Sequence, residues 1–268
     1  MDHLNNIFTL ICSTLKGASS AEKTGTINPK GDASRGFDLM SENAIRKYCE
    51  ENLDHPICLM SEESGEVVSR QGQCMERWVI DPVDGSENYS RGLDPSGLSI
   101  AVLPYDAPVT SLNVKKAITG DLSACYAYTA KQGCGAFDTA GKQIHVSGTT
   151  EIDRALIGCD LNFKSRKTDK KILELADTCM DLRRMGSSVC ELMYVADGRY
   201  DAYVDMRNEL TAEDFLAASL IIREAGGVIT DINGNDWGEI TDLTRPFTVI
   251  AAATPELHKT LIEILKPC

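Results

Sequence analysis

The stretch WVIDPVDGSEN, residues 78–88, follows three apolar residues with two carboxylates, Asp81 and Asp84, set around a proline. Gly85 and the hydroxyl of Ser86 come directly behind them. Asp and Pro are ordinary turn formers, so the segment alone divides evenly between a plain turn and a site. Two other places repeat the theme: Glu62 and Glu63 follow the apolar PICLM, and Asp214 stands early in TAEDFLAAS. Each has a simpler explanation, a solvated loop for the glutamate pair and a favourable helix N-terminus for Asp214. If the three groups converge, they cannot all stay ionised side by side, because like charges raise one another's pKa or gather cations. Every donor is oxygen and no His or Cys lies nearby in sequence, which points to Mg²⁺ or Mn²⁺ rather than zinc. Two such ions can flank a phosphate ester, activating water on one side and stabilising the leaving oxygen on the other. The backbone N–H groups of Gly85 and Ser86, where they open a helix, would cradle phosphate oxygens. The Ser86 hydroxyl would hold the attacking water.

Elements able to position these groups can be read from periodicity. Leu4, Ile7, Phe8, Ile11 and Leu15 follow helical spacing; with an acidic residue at position 2 and no basic region, this predicts an amphipathic helix and not a signal peptide. Residues 17–36 are rich in Gly, Ser, Thr and Lys and long for a connection, as functional lids or disordered segments are. A second helix from Phe37 places Met40, Ala44, Ile45 and Tyr48 on one face. PICLM (56–60) and RWVI (77–80) read as buried strands, the second ending at Asp81. Residues 96–103, 121–130 and 143–147 suggest antiparallel strands, the last two separated by KQGCGAFDTAGK, whose glycines suit a hairpin.

After residue 150 strands and helices alternate. ALIGCD, YDAYVDM, GVIT and FTVIAA read as strands, and KTDKKILELADTCMDL and SSVCELMYVADG as helices. TAEDFLAASLIIREAGG and TPELHKTLIEIL are further helices, the first closed by a glycine pair and the second opened by proline. The reading is α+β over 1–150 and α/β over 151–268.

The formal net charge is −13 and no run of Lys or Arg offers the counterion-releasing patch that nucleic-acid binding needs, which argues against such a partner. A phosphorylated substrate must then be reconciled with an acidic protein through bound cations. No apolar stretch is long enough to span a membrane. The ten cysteines form no Cys-x-x-Cys and no zinc-finger spacing, and most sit in apolar runs. They read as reduced thiols of a cytoplasmic protein.

WVIDPVDGSEN is similar to the metal-binding signature of the inositol monophosphatase family, Asp-Pro-x-Asp-Gly-(Thr/Ser)-x-Asn. SEESGE resembles the family's preceding Gly-Glu-Glu, and EDFLAASLIIREAGG its C-terminal Trp-Asp-x-Ala-Ala-Gly…Glu-Ala-Gly-Gly. KQGCGAF and RRMGSSVCELMYVADGRYDAY fall in the same order, so the likeness spans nearly the whole chain. KGDASRGFDLMSENA and YVDMRNELTAED look most like the archaeal-type branch that hydrolyses both inositol monophosphate and fructose 1,6-bisphosphate.

The resemblance implies a layered αβαβα sandwich, a homodimer, and Mg²⁺-dependent hydrolysis of a small phosphorylated sugar or polyol, with Mn²⁺ as a substitute and Li⁺ as an inhibitor. Glu62, Asp81, the Val83 carbonyl and Asp84 would hold metal, with Asp214 on the second ion and Asp32 touching a third. Asp38 would pair with Ser86 to orient the water, and Glu63 belongs with them in the catalytic set. Gly85 and Ser86 would meet the phosphate. Gly186, Ser187 and Asp205 would line the substrate's hydroxyls, and Arg184 and Arg207 are candidates for a second phosphate. Four positions depart from the pattern: Glu213 replaces the common Trp, Ser86 a Thr, and Ser61 and Ser219 a Gly. Glu213 bears on the inositol subsite more than on the metal site. A 3′-phosphoadenosine 5′-phosphate nucleotidase is the alternative within the family. A metal-independent two-carboxylate glycosidase and a non-catalytic cation-binding module are the alternatives outside it.

Overall fold

The computed structural model describes residues 2–16, 23–28, 33–161 and 170–266. Helix α1 (Asp2–Lys16) buries Leu4, Ile7, Phe8, Ile11 and Leu15, the residues its spacing marks, together with Cys12. Of the long segment 17–36, residues 17–22 and 29–32 lie outside the described residues, and with them Asp32. The described part pairs β1 (Lys23–Ile27) with β2 (Ala33–Arg35) in an antiparallel ribbon where the composition suggested a loop. Helix α2 (Gly36–Asn52) turns Phe37, Ser41, Ile45 and Cys49 inward, with Asp38 and Glu42 beside them. Met40, Ala44 and Tyr48 are at the margin of that face. The expected face is rotated because two buried carboxylates count as polar in any hydrophobic pattern.

A seven-stranded sheet follows, built from β3 (Ile57–Ser61), β4 (Gly65–Val68), β5 (Glu76–Asp84), β6 (Gly97–Pro104), β7 (Lys116–Asp121), β8 (Tyr126–Lys131) and β9 (Ala136–Asp138). Its order is β4-β3-β5-β6-β7-β8-β9, with β3 and β5 parallel and every other pair antiparallel. Two expectations change here. Residues 121–130 are not one strand but the turn and second arm of the β7–β8 hairpin, with Cys125 at φ 54 in the turn. Residues 143–147 give a single bridge, Gln143 to Phe137. A side chain at Gly120 of β7 would run into the ring of Phe8, so that glycine lets α1 close on the sheet.

The second sheet takes β10 (Leu156–Asp160), β11 (Asp181–Arg183), β12 (Ala202–Leu210), β13 (Val228–Thr230) and β14 (Phe247–Ala252), in the order β11-β10-β12-β14-β13. Helix α4 (Lys170–Thr178) is shorter than its apolar pattern, since Asp181–Arg183 leave it to form the edge strand β11. Helices α5 (Ser188–Ala196) and α6 (Ala212–Glu224) lie between the two sheets. Leu192, Phe215 and Leu216 join Val79 and Leu103 of one sheet to Tyr203 and Val249 of the other. Enclosure on both sides explains why the buried residues of α6 run unbroken from Ala212 to Ile222. α1 and α2 cover the outer face of the first sheet. α4 and α7 (Pro255–Leu265) cover that of the second, through Ile172, Leu175, Leu257 and Leu261. The layers therefore run αβαβα. Among the described residues no helix is long and apolar enough to cross a membrane, and every cysteine is a free thiol.

Candidate metal centre

In a regular strand, residues three apart point to opposite faces, so Asp81 and Asp84 could not meet on an ideal β5. β5 does not end at Asp81; it continues through Pro82 and Val83 to Asp84, and its register with β6 shifts between the two aspartates. Proline has no N–H to give the ladder, which makes it a natural place for such a bulge. The irregularity brings the two carboxylates to one place. Asp214, from the first turn of α6, joins them, and one oxygen from each of the three lies within 4.8 Å of the others. The turn expected at Asp-Pro-Val-Asp is thus a bulged strand, and the chain turns one residue later. Gly85 has φ 82, and a side chain there would press on Gly186 O at 3.1 Å and Ser187 Cβ at 3.2 Å.

Each carboxylate of the cluster is oriented by hydrogen bonds. Asp81 accepts from Val83 N–H at 3.0 Å. Asp214 accepts from Thr211 through N–H at 2.6 Å and Oγ1 at 3.1 Å, so it caps its own helix while serving the cluster. Asp84 accepts from Ser187 Oγ at 2.6 Å and Val189 N–H at 2.8 Å, and more weakly from Ser188 Oγ at 3.4 Å, all at the start of α5. Burial, followed by the charge of Asp214, nevertheless pushes Asp84 up to about 7. Oxygen donors that repel one another this strongly suit a hard divalent cation.

Beside the cluster, short helix α3 (Ser86–Arg91) begins at Ser86, whose Oγ lies 3.2 Å from Asp38 Oδ1 and 3.0 Å from Val83 O. Asp38 is buried and pushed up to about 7, first by desolvation and then by the charge of Glu63, with Glu62 adding to it. One hydroxyl proton cannot serve both acceptors at once. A protonated Asp38 would donate to Ser86, which in turn donates to Val83 O. When Asp38 ionises, the hydroxyl is free to turn toward it.

Glu62 and Glu63 act on Asp38 through their charge and are not members of the three-carboxylate cluster. Glu62 accepts from Asn28 Nδ2 at 3.1 Å. Their loop is tied to α2 by buried Glu42, which accepts from Ser61 Oγ at 2.6 Å and from Ser64 Oγ. Ser61 Oγ also accepts from Glu63 N–H at 3.1 Å, which accounts for a serine where the family pattern has glycine. Ser219 is similarly explained: its hydroxyl is buried and returns to Leu216 O at 2.7 Å.

The segments expected to line the substrate are partly committed elsewhere. Gly186, at φ 82, abuts Asn88, whose Nδ2 donates to Met185 O at 2.8 Å and Pro95 O at 2.9 Å. The Ser187 hydroxyl is spent on Asp84. Asp205 is fully buried and held by Arg207, with Nε at 3.0 Å and NH2 bonding the same oxygen. It presents no surface to a substrate in this form. Arg184 and Arg207 are both ion-paired: Arg184 Nε donates to Asp160 Oδ1 at 2.6 Å, and Arg207 NH1 lies 3.0 Å from Asp160 Oδ2.

Sequence reasoning missed Asp160, Glu42, Asn28, Asn88 and Glu191. Asp160 carried the same signal as Asp81, a carboxylate at the end of an apolar run. Glu191 carried none. It is fully buried in α5 and pushed up to about 8, mainly by desolvation, beside the backbone of Met185 and Gly186.

With this geometry in place, comparison with known proteins identifies the class. The model of the inositol monophosphatase family matches residues 5–268, and the chain belongs to that family of phosphatases. A fructose-1,6-bisphosphatase/inositol-1-monophosphatase of Methanothermobacter thermautotrophicus is 31% identical over 268 residues, covering 95% of this chain and 91% of that protein. The Nus factor SuhB of Pasteurella multocida is 31% identical over 248 residues, covering 91% and 86%. Among solved structures, an inositol monophosphatase-fructose 1,6 bisphosphatase superposes with a TM-score of 0.81 at 25% identity, covering 98% of each chain.

Proposed function

We propose that this phosphatase is a Mg²⁺-dependent phosphomonoesterase acting on a small phosphorylated polyol or sugar, inositol monophosphate and fructose 1,6-bisphosphate foremost. The observation that carries the reading is the convergence of Asp81, Asp84 and Asp214 from two elements of the fold, one oxygen of each within 4.8 Å of the others. These three residues would hold the cation, with the Val83 carbonyl and Glu62 beside them. Bound there, Mg²⁺ would polarise the phosphate ester and lower the pKa of water. The chain's own residues supply the rest. Ser86 and Asp38 form the relay that orients a water and takes its proton at Asp38 Oδ1, an acceptor poised near pH 7. Gly85, at φ 82 and packed where a side chain would clash with Gly186 and Ser187, makes the turn that would present the backbone N–H of Ser86 to a phosphate. A glycosidase needs two carboxylates flanking a sugar bond roughly 5 Å or more apart and no cation; a triplet held in mutual repulsion favours the metal reading.

A panel of phosphate esters assayed with Mg²⁺ and then with EDTA tests this. Release of inorganic phosphate from inositol 1-phosphate or fructose 1,6-bisphosphate that EDTA abolishes and Mg²⁺ restores is the expected result. Turnover that survives EDTA would overturn it.

A further inference from the structure

We propose that Asp160 is a specificity-determining residue: an internal counter-anion that occupies Arg184 and Arg207 and thereby withholds them from a second phosphate on the substrate. The inference rests on the phosphatase reading above. Asp160 ends β10 directly beside Asp205 of β12, its register partner, and its side chain is only 9% exposed. Oδ1 accepts from Arg184 Nε at 2.6 Å and from Leu161 N–H at 2.7 Å, while Oδ2 pairs with Arg207 NH1 at 3.0 Å. Both oxygens are thus used on the two arginines.

The charge balance decides what the arginines can do. Asp160 and Asp205 match Arg184 and Arg207 one for one, and Glu209 lies a further 3.5 Å from Arg207 NH1. Among the described residues, a phosphate dianion arriving here meets a cluster whose two arginines are already neutralised, so that any guanidinium N–H it reaches belongs to a side chain whose charge Asp160 offsets. The cluster adjoins the site: Arg184 is three residues before Ser187, whose hydroxyl holds Asp84. The two arginines differ in their freedom. Arg207 is gripped by Asp205 through Nε and NH2 and stays aimed without Asp160. The side chain of Arg184 is 52% exposed and can swing toward a ligand once Asp160 releases it.

The test compares kcat/KM for fructose 1,6-bisphosphate with that for inositol 1-phosphate. Turnover of the monophosphate reports the phosphatase reading, and the ratio between the substrates reports Asp160. Asp160→Asn should raise the ratio roughly 10- to 150-fold, the worth of one charge-assisted hydrogen bond, through a lower KM for the bisphosphate at unchanged kcat. Adding Arg184→Ala to Asp160→Asn should remove the gain, and Asp160→Glu, which keeps the charge, should not show it. A ratio that stays level or falls in Asp160→Asn overturns the proposal while leaving the phosphatase reading intact. The intact enzyme supplies a check free of any variant's folding. Its KM for fructose 1,6-bisphosphate should lie within about threefold of that for fructose 1-phosphate, because a withheld pair of arginines adds no affinity. A bisphosphate KM lower by about tenfold or more would overturn the role of Asp160.

Discussion

Replacing Asp84 by Asn should make the metal-free protein more stable while disabling it. Asp84 accepts from Ser187 Oγ and Val189 N–H at 2.6 and 2.8 Å, and an asparagine oxygen can keep both bonds. The new amide N–H₂ would then face Asp81 and Asp214, so that a donor replaces a repelling charge. Burial and Asp214 lift the Asp84 pKa from 3.8 to about 7 in the folded chain, and a raised carboxylate pKa opposes folding. The penalty is absent below about pH 4, grows as pH rises toward 7, and is complete above that. At 1.36 kcal/mol per pK unit the rise from 3.8 to about 7 sets a ceiling of ~4 kcal/mol. Because Asp81 and Asp214 share the relief, about 1–3 kcal/mol is the working expectation. For a chain of this size that corresponds to a Tm gain of roughly 2–5 °C. Calorimetry in EDTA at pH 8 and at pH 4.5 measures it: the gain should be present at the first and largely gone at the second. With Mg²⁺ the order should reverse, since the native protein gains from ligand binding and the variant has lost a charged ligand. Its kcat/KM should fall at least ~100-fold, about 2.7 kcal/mol of transition-state stabilisation. Melting of Asp84→Asn at or below the native temperature in EDTA at pH 8 would refute the reasoning. So would a gain that persists undiminished at pH 4.5.

Two further outcomes follow from the same geometry. Ser86→Ala removes the hydroxyl between Asp38 and Val83 O and should lower kcat about 100-fold or more, whereas Ser86→Thr should stay within about threefold; steady-state kinetics separates them. Since protons compete for Asp84 below about pH 7, the apparent Mg²⁺ affinity should weaken about tenfold per pH unit between pH 7 and 5, and a flat titration by calorimetry would contradict this.

Much of the fold was legible because burial leaves a periodic trace. Leu4, Ile7, Phe8, Ile11 and Leu15 mark their helix face, and the apolar runs at 57–60 and 78–80 mark buried strands. α2 misled because Asp38 and Glu42 are buried polar residues, which hydrophobic spacing assigns to solvent. Residues 143–147 alternate like a strand, yet strandhood requires a partner that only the folded chain supplies, and a single bridge is all they find.

The site divides in the same way. The kinds of donor, their places at strand and helix ends, and the all-oxygen chemistry were readable from the sequence, since each is a local property of a few neighbouring residues. Their convergence was not. Asp81 and Asp84 share a face only because β5 slips register against β6, and Asp214 reaches them from the other half of the chain. The arginines show the limit most sharply: from sequence Arg184 and Arg207 are candidates for a second phosphate, and nothing local names their partner. The pairing of β10 with β12 set Asp160 between them, because a charge buried in a low-dielectric interior takes whatever counter-charge the fold brings within reach, however distant it is along the chain.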